Sequence, residues 1–267
     1  DAVVIGAGAF GFATAYHLAK GGLKHVVLLD QFEPGTQVSA RAAGLFKLIQ
    51  ASEIKTRLAQ RATEIVTGFS ANTGIPMPFV ASGSIYAART PAHASMVEAE
   101  VEDSRGWGVR LERLEPSEVR IATNYLSGDN IVSAFFVPDD IYIEEPRSLL
   151  LAYRQAGAVL GMQTIGHTPA IGITVLNGRV VGVETPRGTI ETPIVVDTAG
   201  AWAKIVGGFA GVDIPVQPLR HQLRITTPIQ GIAPTDPVVR LIDSAAYIRP
   251  SRGGLMFGGM EANPLPF

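Results

Sequence analysis

One glycine-rich turn near the start of the chain restricts the possible folds more than any other feature. An apolar run at residues 2–5 leads into Gly6-Ala7-Gly8-Ala9-Phe10-Gly11, and a helical pattern follows to about residue 20. A second apolar run, at residues 25–29, ends at Asp30. This order predicts a βαβ unit of a parallel sheet that binds a dinucleotide. Its parts are a strand, a glycine turn, a helix, a second strand and an acid.

The three glycines of this turn have different expected roles. Gly6 makes the tight turn, Gly8 lets the backbone approach a pyrophosphate, and Gly11 lets the helix pack closely on the strand. The helix that begins at Ala9 and Phe10 would direct free N–H groups and the positive end of its dipole at the phosphates. The turn is therefore predicted to hold the pyrophosphate.

The acid at the end of the second apolar run narrows the choice of nucleotide. Asp30 lies about 20 positions after the glycine turn, where a carboxylate binds a ribose hydroxyl, and Gln31 follows it. A carboxylate at this place suits an unphosphorylated ribose and disfavours NADP. The motif alone leaves NAD and FAD as alternatives.

The composition excludes several other classes of protein and site. Cysteine is absent, which excludes disulfides, thiolate metal sites and iron–sulfur clusters. A net charge of −2 without a basic stripe argues against a nucleic-acid binder. The histidines lack metal-ligand spacing, and no apolar run is long enough to span a bilayer. We therefore expect no metal site, no nucleic-acid partner and no membrane span.

Periodicity and turn residues predict the rest of the secondary structure. Helices are expected over residues 52–72, 92–105 and 146–156, and strands over residues 83–88, 131–137, 159–165, 194–197, 223–227, 246–249 and 255–257. The dipeptide Asn177-Gly178 predicts a hairpin between residues 171–176 and 180–184, followed by a strand at 189–191. The last residues, 263–267, show no strand or helix signal, and the chain is expected to be a piece of a longer protein.

Several segments together resemble the FAD-dependent D-amino-acid oxidase superfamily. They are the glycine turn, the loop Ser39-Ala40-Arg41-Ala42-Ala43-Gly44, and the segment Val195-Val196-Asp197-Thr198-Ala199-Gly200-Ala201-Trp202. His221-Gln222 and the glycine-rich block from Tyr247 to Glu261 are similar to the sarcosine and dimethylglycine dehydrogenase branch. The resemblance covers nearly the whole chain.

The resemblance implies an α/β fold with two interleaved lobes. A Rossmann-like FAD-binding lobe would use residues 1–75 and 144–211, and a substrate lobe with a mixed or antiparallel sheet would use residues 76–143 and 212–267. The final segment of the FAD lobe would be missing, which leaves the activity of this piece open. FAD would be bound non-covalently, because Arg41 stands where several relatives carry the histidine that attaches the flavin.

The resemblance also assigns cofactor contacts and catalytic residues. Besides the glycine turn, Asp30 and Gln31, the implied FAD contacts are Ser39, Arg41, Ala42, Ala43, Gly44, Leu45, Ala170, Thr198, Ala199, Gly200 and Trp202. Tyr247 matches a tyrosine that contacts the substrate carboxylate, and Arg249 either steers an anion or braces a surface strand. Met256 stands where monomeric sarcosine oxidases carry a lysine that promotes the reaction with oxygen. Since methionine cannot stabilise negative charge, it favours a dehydrogenase.

The implied activity is oxidation of the C–N bond of a secondary or tertiary amino acid, such as sarcosine, dimethylglycine or an opine-like compound. Hydride would pass to flavin N5, the imine would hydrolyse, and the electrons would pass to an acceptor protein or to oxygen. The alternatives are a glycine- or D-amino-acid-type oxidase that produces hydrogen peroxide, a non-catalytic FAD-binding subunit, and an NAD-dependent dehydrogenase. The expected location is the cytoplasm, or the mitochondrial matrix in a eukaryote.

Overall fold

The computed structural model describes residues 1–266 of the chain. The helices in this range are α1 (Ala9–Lys20), α2 (Glu53–Thr73), α3 (Pro91–Gly106), α4 (Pro116–Ala122), α5 (Arg147–Val159) and α6 (Ala203–Phe209). The strands are β1 (Ala2–Ile5), β2 (Val26–Leu29), β3 (Leu45–Phe46), β4 (Ser84–Ala88), β5 (Glu112–Arg113), β6 (Ser133–Val137), β7 (Ile141–Tyr142), β8 (Gln163–Ile165), β9 (Gly172–Leu176), β10 (Arg179–Thr185), β11 (Gly188–Glu191), β12 (Val195–Asp197), β13 (Leu219–Arg220), β14 (Leu223–Ile225), β15 (Val238–Leu241), β16 (Ala246–Ser251), β17 (Gly254–Gly259) and β18 (Leu265–Pro266).

A parallel sheet of order β12-β1-β2-β8 carries the glycine turn. Alternate residues of β1 face opposite sides, as the pleat requires. Val4 packs with helices α1 and α5, whereas Val3 and Ile5 pack with β9, β10 and α6. Because both faces are covered, the strands can be apolar throughout, which is the pattern that the sequence shows.

The hairpin expected at Asn177-Gly178 joins β9 to β10, and β11 completes a three-stranded antiparallel sheet. Both turn residues have positive φ, 50° for Asn177 and 73° for Gly178. A two-residue hairpin turn of this hand is what the Asn-Gly dipeptide favours, because asparagine and glycine tolerate the left-handed region.

The largest sheet has the order β14-β17-β16-β15-β4-β6-β5. Strand β15 runs parallel to β4, and the other neighbouring pairs are antiparallel. One face packs against α3 through Tyr86 and Phe135, and the other packs against α4 through Ile85 and Val239. The predicted lobe boundaries, near residues 75, 143 and 211, stay a prediction.

The structure differs from the sequence-based expectation in several places. Elements without a counterpart in the prediction are helices α4 and α6 and strands β3, β5, β7, β13 and β15. Residues 159–165 are not extended throughout, since α5 runs to Val159 and β8 starts at Gln163. The end of the described chain does contain a strand, because β18 pairs with β13. These two-residue strands are too short to show any periodicity, and Phe267 lies outside the described residues.

Between Asp1 and Pro266, none of the helices combines the length and the apolar character needed to cross a bilayer.

Candidate functional site

A cavity of about 500 Å³ opens at the carboxyl ends of β1, β2 and β12. Its walls are the glycine turn, the segment Asp30–Phe32, the segment Thr168–Ala170 and the turn Thr198–Trp202. Strand β1 lies between β2 and β12, so the chain leaves the sheet in opposite directions on its two sides. Nucleotides bind at such a switch point in open α/β sheets.

The three glycines meet different neighbours. A Cβ atom on Gly11 would lie 1.8 Å from the Gly6 carbonyl oxygen, and one on Gly6 would lie 2.6 Å from the Thr198 carbonyl oxygen. A Cβ atom on Gly8 would have only the Ser39 Oγ within reach, at 3.1 Å. Gly6 and Gly11 are therefore needed to pack the turn, whereas Gly8 leaves a bare backbone surface on the cavity.

The N-terminus of α1 lines the same cavity through Gly8, Ala9 and Phe10. The Ala9 N–H donates to Ser39 Oγ at 2.9 Å, which holds the Ser39 loop over the helix end. The first turn of α1 contains no acidic residue, so the positive end of the helix dipole is not neutralised there. Phe10 is 82% exposed beside the cavity. The helix end can therefore accept an anionic group such as a pyrophosphate.

Asp30 lies on the opposite side of the turn. Its Oδ2 accepts a hydrogen bond from the Ala7 N–H and its Oδ1 accepts one from the Phe32 N–H, both at 2.8 Å. A carboxylate has about four acceptor positions, so two remain for the hydroxyl groups of a ribose. Gln31 also lines the cavity.

The Thr198 turn closes the far wall. The Thr198 hydroxyl lies 2.9 Å from the carbonyl oxygens of both Ile5 and Gly6 and can donate to either. The Ala199 N–H donates to Asp197 Oδ1 at 2.9 Å. The ring of Trp202 meets that of Phe32 edge to face at 5.7 Å. This wall is thus bonded directly to the glycine turn.

Most of the predicted cofactor contacts come together around this cavity. Those that line it are Gly6, Gly8, Ala9, Phe10, Asp30, Gln31, Ser39, Ala170, Thr198, Ala199, Gly200 and Trp202. Gly11 packs behind it. The sequence interpretation missed Val38, Thr168 and three residues of α6, Ile205, Val206 and Phe209, which also line it. Their apolar or small side chains carry no motif, and only the fold brings them to the cavity.

The predicted contacts from Arg41 to Leu45 do not line this cavity, and Leu45 begins the two-stranded sheet β3-β7. Gly44 has a φ of 70°, and a Cβ atom there would lie 2.1 Å from the Ile143 carbonyl oxygen. Leu45 pairs with Tyr142. Arg41 is exposed and donates to Gln37 Oε1 at 3.1 Å. This loop, with Ala42 and Ala43, therefore joins the cavity wall to the seven-stranded sheet.

Arg249 holds that junction. Its side chain is fully buried, at 0% exposure, so the expectation that it could brace a surface strand is wrong about where it lies. It donates through Nε to Ala43 O at 2.8 Å, through Nη1 to Pro250 O at 2.6 Å and through Nη2 to Glu144 O at 3.2 Å. Its guanidinium lies 4.7 Å from the centre of the Tyr142 ring. Each of the three guanidinium nitrogens thus donates to a main-chain carbonyl, an arrangement that favours bracing over anion binding.

Tyr247 and Met256 share the sheet face of Arg249. Met256 is directly opposite Arg249 in the strand register, and Tyr247 is opposite Gly258. A Cβ atom on Gly258 would lie 2.1 Å from Cζ of Tyr247, so the glycine makes room for the ring. Burial raises the pKa of the Tyr247 phenol, which keeps it protonated as a hydrogen-bond donor.

Comparison of this chain with known proteins gives three findings. A model of the family described as FAD dependent oxidoreductase (DAO) matches residues 1–266. Mitochondrial sarcosine dehydrogenase of Homo sapiens is 31% identical, over 99% of this chain and 29% of that protein. Mitochondrial dimethylglycine dehydrogenase of Rattus norvegicus is 30% identical, over 98% of this chain and 31% of that protein. The chain thus spans less than one third of the length of these relatives.

Solved structures agree in fold. An L-proline dehydrogenase from P. horikoshii superposes with a TM-score of 0.91 at 25% identity, over 99% of this chain and 70% of that chain. A glycine oxidase from Bacillus cereus superposes with a TM-score of 0.84 at 24% identity, over 100% of this chain and 71% of that chain.

Proposed function

Since the chain belongs to the FAD dependent oxidoreductase family, we propose that it oxidises the C–N bond of a secondary or tertiary amino acid as part of a longer enzyme. The family match confirms the predicted FAD dependence and the mixed α/β fold. The similarity to sarcosine and dimethylglycine dehydrogenases supports this substrate class. The proposal rests on the cavity at the glycine turn. The N-terminus of α1 lies on one side of this cavity and the Asp30 carboxylate lies on the other.

The residues around the cavity fit FAD. The N–H groups at the start of α1 and the bare face of Gly8 would bind the pyrophosphate, and Asp30 would accept the ribose hydroxyls. Ala170 and Trp202 would lie beside the adenosine end. When bound, FAD would accept a hydride equivalent from the carbon next to the amine nitrogen, and water would hydrolyse the imine.

The sheet face with Tyr247 would position the substrate. The protonated Tyr247 hydroxyl would donate to a polar group of the amino acid, while Arg249 keeps the Ala43 loop in place from within the protein. Met256 brings no charge to this face, so the chain offers no cation at that position to stabilise an oxygen anion. This favours a dehydrogenase that passes electrons to an acceptor protein.

Anaerobic mixing tests the activity. The full-length protein with bound FAD is mixed with sarcosine, dimethylglycine and a panel of opines, and the flavin absorbance is followed. We expect bleaching with at least one of them. Retention of the flavin absorbance bands with every amine would contradict the proposal and favour a non-catalytic FAD-binding subunit. Peroxide formation in air would identify an oxidase.

Asp30→Ala tests the ribose contact. The change removes the acceptor of the Ala7 and Phe32 N–H groups together with the proposed ribose contact. Hydrogen bonds to a charged group are worth about 1.5–3 kcal/mol, so FAD should bind roughly 10- to 100-fold more weakly. Titration of the apoprotein with FAD, followed by flavin fluorescence, measures this. Asp139→Ala, at an exposed carboxylate paired with Arg110, is the matched control and should leave FAD affinity unchanged.

A further inference from the structure

Asp197 is a half-buried acid at the carboxyl end of β12, and one of its two carboxyl oxygens has no partner. Its Oδ1 accepts a hydrogen bond from the Ala199 N–H at 2.9 Å. Its Oδ2 is buried and has no hydrogen-bond partner among residues 1–266. An ionised carboxylate in such a place loses hydration that nothing replaces, so the fold disfavours the charged form of Asp197.

The strand register places this carboxyl behind the wall of the dinucleotide cavity. Asp197 is paired with Ile5 of β1, and Ile5 is paired with Leu29 of β2, so the three side chains share one face of the sheet. Ile5 and Leu29 line the cavity. Val195 and Val206 pack in the same apolar layer. The Asp197 carboxyl therefore lies in apolar surroundings next to the place where FAD would bind.

The same carboxyl shapes the far wall of the cavity. Its bond to the Ala199 N–H closes a tight turn of the main chain around Thr198, and Thr198 and Ala199 both line the cavity. The Thr198 hydroxyl lies 2.9 Å from the Gly6 carbonyl oxygen, and the Trp202 N–H donates to the Ala199 carbonyl at 3.0 Å. A change in the charge of Asp197 therefore acts directly on this wall.

The elements packed against β12 bring few charged groups to it. Strand β1 and residues 200–202 contain none, β10 contributes Arg179 and Glu184, and α6 contributes Lys204. Arg179 is exposed, Glu184 is bonded within its own sheet, and Lys204 lies 3.9 Å from Asp213. Within residues 1–266 none of the three forms an ion pair with Asp197. Burial raises the pKa of the Asp197 carboxyl, and its backbone hydrogen bond offsets only part of this.

We propose that Asp197 is a positioning residue that takes up a proton from solvent when FAD binds, so that protonation and FAD binding strengthen each other. The pyrophosphate brings negative charge to the glycine turn, and the bound nucleotide excludes water from the cavity. Both effects disfavour a carboxylate behind the cavity wall. The coupling between the two sites is reciprocal. The inference rests on FAD binding and not on the proposed oxidation.

The direction of the pH dependence follows from this coupling. Below the pKa of Asp197 in the FAD-free protein, both forms carry the proton and the FAD Kd is lowest. As the pH rises, FAD must bring in a proton, and the Kd increases until the pKa of the FAD-bound form is passed. Each unit by which FAD raises this pKa is a tenfold change in Kd. For the same reason, the stability that Asp197 contributes is present at low pH and is lost as the pH rises through its raised pKa.

FAD titrations at several pH values test the inference. Full-length protein freed of FAD is titrated with FAD from about pH 4.5 to 8, and flavin fluorescence is followed. For the unaltered protein we expect the Kd to rise about 3- to 10-fold with pH. Asp197→Asn should remove the Asp197 part of this rise and match the unaltered protein at the acid end, because its amide oxygen keeps the bond to the Ala199 N–H. Asp197→Ser is a second neutral variant whose hydroxyl can accept the same bond. Asp213→Asn, at an exposed carboxylate, is the matched control and should keep the full rise.

Proton uptake on FAD binding gives an independent readout. An indicator dye in weakly buffered solution should report uptake by the unaltered protein and less uptake by Asp197→Asn. A merely structural role would change the Kd by the same factor at every pH. Parallel pH profiles of the unaltered protein and both neutral variants would overturn the inference, and so would the absence of proton uptake by the unaltered protein. Neither measurement uses an amine, so the result is separate from that of the oxidation test.

Discussion

Gly11→Ala is expected to remove both a large part of the stability and the bound FAD. The new Cβ atom would lie 1.8 Å from the Gly6 carbonyl oxygen and 2.9 Å from Thr198 Oγ1. Gly6 cannot move aside, because its N–H donates to the Leu29 carbonyl at 2.8 Å and the Thr198 wall packs against it. Helix α1 must therefore shift away from β1. Overpacking of this kind costs about 3 kcal/mol or more when backbone atoms obstruct the new group.

Two glycine variants serve as controls for this experiment. Gly8→Ala places its Cβ atom 3.1 Å from a single side-chain atom, so it should melt near the unaltered protein and yet bind FAD more weakly. Gly208→Ala meets nothing within 4 Å and lies in α6, so it should raise stability by about 0.5–1 kcal/mol. Thermal unfolding and the flavin retained after gel filtration are the measurements. A Gly11→Ala protein that melts normally with FAD bound would refute the packing argument.

Arg249→Met is expected to destabilise the protein by roughly 3–5 kcal/mol. Methionine fills a similar length but leaves the carbonyls of Ala43, Glu144 and Pro250 without their donor in a buried place. Each unsatisfied buried acceptor costs about 1–3 kcal/mol. Arg249→Lys should restore only part of the loss, because one ammonium cannot reproduce a planar fork that serves three carbonyls. Denaturant unfolding of the FAD-free protein measures the change.

An exposed arginine provides the matched control. Arg110→Met breaks a surface pair with Asp139 and should cost no more than about 1 kcal/mol. Normal stability of Arg249→Met would contradict the bracing role and favour the anion-steering role.

Structural features that depend only on residues close together in the chain could be predicted from the sequence. The glycine turn, the strand on each side of its helix and the acid at Asp30 lie within one short stretch, and local sterics fix their geometry. The Asn177-Gly178 hairpin is local in the same sense, since two residues with positive φ determine the turn. Both features are present where the sequence placed them.

Features that depend on distant residues could not be predicted in this way. Strand β15 is four residues long and has Arg240 near its middle, so it lacks the apolar character of a central strand. Its parallel partner β4 lies far earlier in the chain. The burial of Arg249 is likewise set by carbonyls at Ala43 and Glu144, which no local pattern connects to it.

The parallel pairing of β15 with β4 has a consequence for synthesis on the ribosome. All strands of the parallel sheet have been made once Asp197 is translated, so the glycine turn and the Thr198 wall can meet soon afterwards. Strand β4 has only its β6 neighbour at that time, because residues 238–241 do not yet exist. The nascent chain must carry this unpaired edge until β15 arrives, and non-local pairing of this kind is slow and prone to aggregation. Early binding of the nucleotide would therefore stabilise the parallel sheet and the glycine turn before β15 has been synthesised and can complete the seven-stranded sheet.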